Sequence, residues 1–184
     1  MSTPAENEAS IKQESGPSGT VQDKPKKIVV RTGDGEVFEL KEEVAMEMET
    51  IKTFFMEDNI SYETVMPLTN VDSWELVKVI EYCSKYVELK NKENFHKELK
   101  AFQDEFVKSM SPKTLLSLSN VANYLEIKYF LDFICQAIAD HIKSKDVEYV
   151  RELFGVENDF TEEEYEMAKT EAPWAHENLD KDLY

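Results

Sequence analysis

Basic residues are scarce in this sequence. The 184 residues include 21 lysines and arginines against 38 aspartates and glutamates, so the formal net charge is −17. Binding to nucleic acid needs cations that neutralise phosphates, and binding to anionic membranes needs them for a similar electrostatic reason. The charge balance therefore argues against nucleic acid and against a membrane surface as partners.

Cysteine and histidine are also scarce. Cys83 and Cys135 each fall in a helical apolar pattern, so we predict two buried free thiols in a reducing compartment, the cytoplasm and nucleus. A thiol buried among apolar groups is unreactive. The three histidines, His96, His141 and His176, are not at metal-ligand spacing from a cysteine or from one another. We therefore predict no catalytic residue, no metal and no cofactor, and an enzyme is the least favoured class.

Long hydrophobic runs are missing, and glycine is limited to five residues. No run approaches the roughly 20 apolar residues of a membrane span, and the N-terminus lacks the pattern of a signal peptide. The glycines do not form a phosphate-binding motif. Apart from Met1, residues 1–25 hold only Ile11 and Val21 as sizeable apolar side chains. Such a segment buries too little to offset its ordering entropy, so we predict a disordered N-terminal tail.

Three short segments have the composition of strands. Residues 27–31 (KIVVR) and 36–40 flank a Thr-Gly-Asp-Gly turn, which predicts a hairpin. Residues 65–68 form a third extended segment, and Pro67 places it at an edge or a strand end because proline cannot donate to the ladder. The sequence therefore predicts a small sheet.

Helical periodicity accounts for most of the remaining chain. Helices are predicted over 42–56, with a break at residues 49 and 50, from Asp72, over 95–106, and from Ser111-Pro112. In the helix that begins after Asp72, Trp74 and Tyr82 lie off the apolar stripe, so we expect both to be partly exposed.

Residues 114–142 form the most apolar part of the chain. Their spacing predicts two helices with wide apolar stripes, which meet at the polar pair Asn123-Tyr124. From the residues alone, Asn123 is typical of a helix end and Tyr124 of a side chain that fills the core.

The C-terminal part is acidic and poor in apolar residues. Asp146 and Gly155 predict the start and end of a short helix, and Thr161-x-x-Glu164 is a capping box for another. Pro173 ends this second helix and Trp174 follows. Short charged helices with few apolar anchors are marginal alone, so we expect this part to need a partner.

Several motifs together resemble one family. They are DGEVFEL (34–40), TIKTFF (50–55), PLTNV (67–71), VIEYC (79–83), DEF (104–106), NYLEIK (123–128) and FGVENDFTEEE (154–164), with Trp174 ten residues on. The chain resembles a divergent member of the S-phase kinase-associated protein adaptors, which join F-box proteins to a cullin in SCF (Skp–cullin–F-box) ubiquitin ligases. The resemblance spans roughly residues 27–174.

The resemblance implies an α+β fold of the BTB/POZ type, a small three-stranded sheet flanked by helices, over residues 26–143. It implies a two-helix extension that binds F-box proteins over 144–175 and an acidic tail over 176–184. The cullin-facing pair would be Asn123 and Tyr124. The F-box-facing residues would be Leu116, Cys135, Ile138, Ile142, Phe154, Val156 and Trp174.

The expected function is therefore a non-catalytic adaptor between a cullin and F-box proteins. One alternative is a divergent relative that binds F-box proteins without productive cullin engagement, and another is a self-associating BTB scaffold unrelated to ubiquitin. Homodimerisation of the unbound chain also stays open. The chain departs from the family pattern mainly at three positions. Tyr129 stands where the family usually has a small residue, Phe102 stands where it has tryptophan, and Thr69 stands where it has proline.

Overall fold

The computed structural model describes residues 27–56 and 60–176, with the side chains of residues 175 and 176 excluded. The predicted tail over 1–25, and all of the predicted acidic tail beyond residue 176, lie outside the described residues. Within them the fold is the predicted α+β type, a three-stranded sheet with eight helices.

The sheet has the strand order β2-β1-β3 and mixed direction. Strand β1 (Lys27–Thr32) pairs antiparallel with β2 (Val37–Lys41) and parallel with β3 (Val65–Leu68). Ile28, Val30 and Thr32 alternate into the core, as the period of two requires. Pro67 lies on the edge strand β3, in agreement with its missing donor.

The hairpin turn is fixed by its two glycines and by Asp34. The Gly33 N–H donates to the Val71 carbonyl at 2.8 Å, and a Cβ at Gly33 would lie 2.6 Å from the Thr69 carbonyl oxygen. The backbone N–H of Ser73 donates to Asp34 at 3.1 Å. Hydrogen bonds from Ser73 and Thr32 lower the pKa of Asp34 to about 2. The turn is thereby tied to the start of the third helix.

Eight α-helices and a final 3-10 turn follow one another along the described chain. Their bounds are α1 Glu42–Ala45, α2 Glu49–Met56, α3 Ser73–Leu89, α4 Phe95–Lys108, α5 Pro112–Tyr124, α6 Lys128–Ile142, α7 Val147–Phe154 and α8 Glu162–Glu171, and the 3-10 turn covers Pro173–His176. The predicted division of residues 42–56 into two short helices is confirmed, but the predicted position of the break is wrong: it falls at residues 46–48, and Glu49 and Thr50 begin α2.

The predicted cap residues start these helices. Ser111 Oγ accepts the Thr114 N–H at 3.1 Å at the start of α5, and Asp146 accepts the Tyr149 N–H at 2.7 Å at the start of α7. Gly155, at φ 66°, ends α7 in the left-handed conformation that glycine adopts at little cost.

The hydrophobic core lies between the sheet and helices α1 to α6. Both apolar stripes of the 114–142 segment contribute to it, through Leu118 and Val121 on α5 and Phe130 and Ile134 on α6. Every buried residue of the described chain lies between residues 28 and 138. Helices α7 and α8 bury none.

The expectation for Tyr82 is wrong, whereas that for Trp74 is confirmed. Trp74 is 45% exposed, but Tyr82 is only 1% exposed. The Tyr82 ring lies 4.4 Å from that of Phe130, 5.3 Å from Phe133 and 5.5 Å from Phe106, by centroids. Aromatic residues of α4 and α6 therefore enclose it on the side that α3 alone leaves open.

The prediction of two buried thiols is correct for Cys83 and wrong for Cys135, which is exposed. On α6 the core-facing positions are Phe130, Ile134 and Ile138. Cys135 directly follows Ile134, and one residue turns the helix by about 100°, so its side chain lies outside that stripe.

In the described part of the chain, no helix is both long enough and apolar enough to cross a bilayer.

Two candidate protein-binding surfaces

The junction between α5 and α6, here called the elbow, has a fixed backbone. Glu126 has a φ of 56°, in the left-handed region, and the Ile127 N–H donates to the Ala122 carbonyl at 2.9 Å. Leu125 and Ile127 on either side are buried. The Thr50 hydroxyl of α2 donates to the Tyr124 carbonyl at 2.8 Å. The core and α2 therefore hold the elbow in one conformation.

The two predicted cullin-facing residues occupy the last turn of α5, immediately before the elbow. Asn123 is exposed, and Tyr124 is half-buried against the core. Contacts with the core cover only part of the Tyr124 side chain, and the rest is exposed. A tyrosine held in this way presents a rigid surface that is apolar along the ring and polar at its end.

Tyr129 packs onto α3. Its ring is stacked on that of Tyr86 at a centroid distance of 3.9 Å, and its hydroxyl donates to Cys83 Sγ at 3.5 Å. Burial and the neighbouring thiol raise the pKa of Tyr129 above its ordinary range. Because the ring is engaged by α3, Tyr129 leaves Asn123 exposed.

A notch of about 380 Å³ opens beside the elbow. It lies between the end of α1, the start of α2 and the start of α6, and its lining residues are Met46, Glu47, Glu49, Glu126, Lys128 and Tyr129. Glu47 is paired with Lys90 of the α3 C-terminus at 2.8 Å, and Glu49 with Lys52 at 2.9 Å.

The predicted F-box-facing residues fall into two groups. Four lie on the packed pair of α5 and α6: Cys135 is exposed, Leu116 and Ile142 are half-buried, and Ile138 is 9% exposed. Cys135, Ile138 and Ile142 recur at spacings of three and four, which places them on one side of α6. These side chains form a flank of α6 next to the core stripe.

The second group lies beyond α6 and is much more exposed. Phe154 and Val156 at the end of α7 are 47% and 59% exposed, and Trp174 is 76% exposed. Several large exposed apolar side chains in one short segment are typical of interaction sites.

Two further side chains of this region, Phe160 and Met167, are 50% and 58% exposed and were not among the predicted F-box-facing residues. Phe160 precedes the N-cap Thr161, a position from which an apolar side chain usually packs against its own helix. The Arg151 guanidinium instead lies over the Phe160 ring, 5.3 Å from its centroid. We call Phe154, Val156, Phe160, Met167 and Trp174 the extension surface.

A side-chain hydrogen bond joins α7 to the end of α6. His141 Nε2 lies 2.8 Å from the Tyr149 hydroxyl. Since α7 and α8 bury no residue, the extension surface is held to the folded domain by few contacts.

Comparison with known proteins identifies the family. The model of the Skp1 family tetramerisation domain matches residues 26–88, and that of the Skp1 family dimerisation domain matches residues 128–175. SKP1-like protein 1A of Arabidopsis thaliana is 42% identical over 83% of this chain and 98% of its own length. SKP1-like protein 20 of Oryza sativa subsp. japonica is 42% identical over 82% of this chain and 94% of its length. The chain therefore belongs to the Skp1 family.

Proposed function

We propose that this protein is the adaptor subunit of an SCF-type ubiquitin ligase, which holds a cullin at the elbow and an F-box protein at the extension surface. The observation that carries the proposal is the separation of these two surfaces along one helix. Helix α6 starts at the elbow and ends at the extension, and its 15 residues span about 22 Å. Two partners can therefore bind at the same time.

The cullin side rests on Asn123 and Tyr124. Tyrosine is enriched at interface hot spots because it contributes a large contact area with few rotatable bonds. The anchoring of the Tyr124 carbonyl by Thr50 pre-organises this residue, so little conformational freedom is lost on binding.

The F-box side rests on the extension surface together with the flank formed by Leu116, Cys135, Ile138 and Ile142. Its exposed apolar side chains would be covered by helices of the F-box protein, in the manner of an amphipathic helix in a groove. Tethering of the substrate-carrying F-box protein near the cullin raises its effective concentration. This role needs no bond chemistry on the chain itself, and we place the protein in the cytoplasm and nucleus.

A divergent relative that binds F-box proteins without a cullin is less well supported. That alternative was suggested by Tyr129, but the Tyr129 ring is stacked on Tyr86 and leaves Asn123 exposed.

The test uses purified cullin, a purified F-box protein and single variants of the full chain. We expect Tyr124→Ala to weaken cullin binding by at least tenfold and to leave F-box binding unchanged, and Trp174→Ala to do the reverse. Trp74→Ala is a matched control, since Trp74 is also partly exposed but lies on α3. Intact cullin binding by Tyr124→Ala, together with intact F-box binding after removal of residues 161–184, would refute the proposal. A chain that binds mainly other copies of itself, and neither the cullin nor the F-box protein, would indicate a self-associating scaffold.

A further inference from the structure

The extension carries an excess of negative charge that its own cations do not balance. Residues 147–174 contain nine acidic residues and two basic ones, Arg151 and Lys169. The same segment carries the exposed apolar side chains of the extension surface. Any partner that covers this surface must therefore also lie close to its carboxylates.

Both cations are already engaged within the chain. Arg151 pairs with Glu148 at 2.7 Å and lies over the Phe160 ring. Lys169 pairs with Glu166 at 3.0 Å and lies over the Tyr165 ring at 4.4 Å. Neither is available to neutralise the remaining acids.

The remaining acids differ in what they do for the chain. Glu164 completes the capping box of α8, and Glu162 and Glu163 lie in its first turn, where negative charge favours the helix. Glu152, Glu157 and Asp159 have no such role, and within the described residues none of them forms a side-chain ion pair. All three are exposed. They lie in the same stretch of chain as Phe154, Val156 and Phe160, and we call these three acids the acidic rim.

We infer that the acidic rim selects F-box partners whose docking helices carry lysine or arginine beside their apolar anchors. This inference rests on the proposed function, because it specifies the chemistry of the partner at the same surface. Exposed charges at the edge of an interface mainly accelerate association and reject partners of like charge, whereas buried apolar anchors set the lifetime of the complex. Basic side chains around the apolar contact would complement the three carboxylates of the acidic rim, and acidic ones would be repelled.

A metal ion does not account for these carboxylates. In the parts of the chain that the structure describes, no group of three potential ligand residues is arranged to hold one.

The test is a rim variant, Glu152→Gln with Glu157→Gln and Asp159→Asn, which removes three charges and keeps the side-chain shapes. Its matched control is Glu36→Gln with Glu63→Gln and Glu93→Gln, three exposed acids outside the extension. The probe is a purified F-box domain, together with a version in which its exposed lysines and arginines are replaced by glutamine. Association and dissociation rates are measured by stopped-flow fluorescence at low and high sodium chloride.

For the basic probe at low salt, we expect the rim variant to associate about tenfold more slowly than the wild type, since steering by such charges contributes factors of about ten or more. Its dissociation rate should stay within about threefold, and high salt should remove most of the difference. The control variant should behave as the wild type, and the neutralised probe should not distinguish wild type from rim variant.

Equal association rates for wild type and rim variant, with binding intact, would overturn the rim's role and leave the adaptor function standing. An equal slowing in the control variant would also overturn it, because the effect would then come from overall charge. Failure of the wild-type chain to bind the F-box domain at either salt concentration would instead overturn the proposed function. Matching circular dichroism spectra show that the variants are folded.

Discussion

The two free cysteines occupy different chemical surroundings. Cys83 lies in the core against the Tyr129 hydroxyl, and desolvation raises the pKa of its thiol to about 12. Cys135 lies on the exposed flank of α6. Because the thiolate is the reactive species, burial lowers both the access to Cys83 and the reactive fraction of its thiol.

We predict that a thiol reagent at pH 8 labels one cysteine of the native chain and two after unfolding in urea. Labelling should occur at Cys135, so that Cys135→Ser abolishes it in the native state while Cys83→Ser does not. Mass spectrometry of the labelled chain gives the count and the position. Rapid labelling of Cys83 in the native chain would contradict the buried arrangement. An F-box protein bound on the α6 flank should in addition slow the labelling of Cys135.

The residues that sequence reasoning misplaced are those whose surroundings come from distant segments. Periodicity along α3 treats Trp74 and Tyr82 alike, since both lie off its apolar stripe. Tyr82 is nevertheless buried, because Phe106 of α4 and Phe130 and Phe133 of α6 pack around its ring. The apolar periodicity of α3 alone cannot specify which aromatic residues, 24 to 51 positions further along the chain, will pack against Tyr82.

At the scale of elements, the helix ends were predictable because their signals are local. Ser111-Pro112, Asp72 with Glu75, and Thr161 with Glu164 all act within one helical turn, and each starts a helix in the structure. The tie between Thr50 of α2 and Tyr124 of α5 spans 74 positions. This hydrogen bond could not be predicted from the sequence of either helix, although it fixes the elbow on which the proposed cullin binding depends.

Helix α8 depends on its cap more than a core helix does, because it buries no residue. The Glu164 N–H donates to Thr161 Oγ1 at 3.3 Å, and the Thr161 N–H donates to the Glu164 carboxylate at 2.9 Å. We predict that Thr161→Ala accelerates hydrogen exchange of the α8 amides about fivefold, from a typical cap contribution of about 1 kcal/mol, and leaves the global unfolding free energy unchanged.

Exchange followed by mass spectrometry tests this, with Thr170→Ala as the control, since Thr170 lies at the other end of the same helix. Hydrogen bonds from Thr161 lower the pKa of Glu164. The stabilisation by this cap is therefore present above the ordinary carboxyl pKa and is lost as the pH falls through the lowered one. Equal exchange rates in Thr161→Ala and Thr170→Ala would show that the cap does not hold α8.

At the scale of the whole molecule, the buried core and the extension surface occupy different parts of the chain. The buried residues run from Ile28 to Ile138, and the most exposed apolar side chains of the C-terminal part lie beyond them. The thin apolar content of residues 147–174 already indicated this division. It could not specify how the extension meets the domain, because the His141–Tyr149 contact depends on the relative placement of two helices.

We predict that a chain ending at residue 145 unfolds with a free energy within about 1 kcal/mol of that of the full chain. No described residue of the removed segment is itself buried, and one partly buried hydrogen bond contributes about 1 kcal/mol. Urea unfolding followed by circular dichroism measures this difference. A chain ending at residue 126 is the contrasting variant, because it also loses the core residues Phe130 and Ile134. Each large core side chain contributes about 2 kcal/mol or more to stability. We therefore expect this shorter chain not to fold. A large loss of stability in the 145-residue chain would show that the extension belongs to the core. The expected result would mean that helices α7 and α8 add little to the stability of the domain.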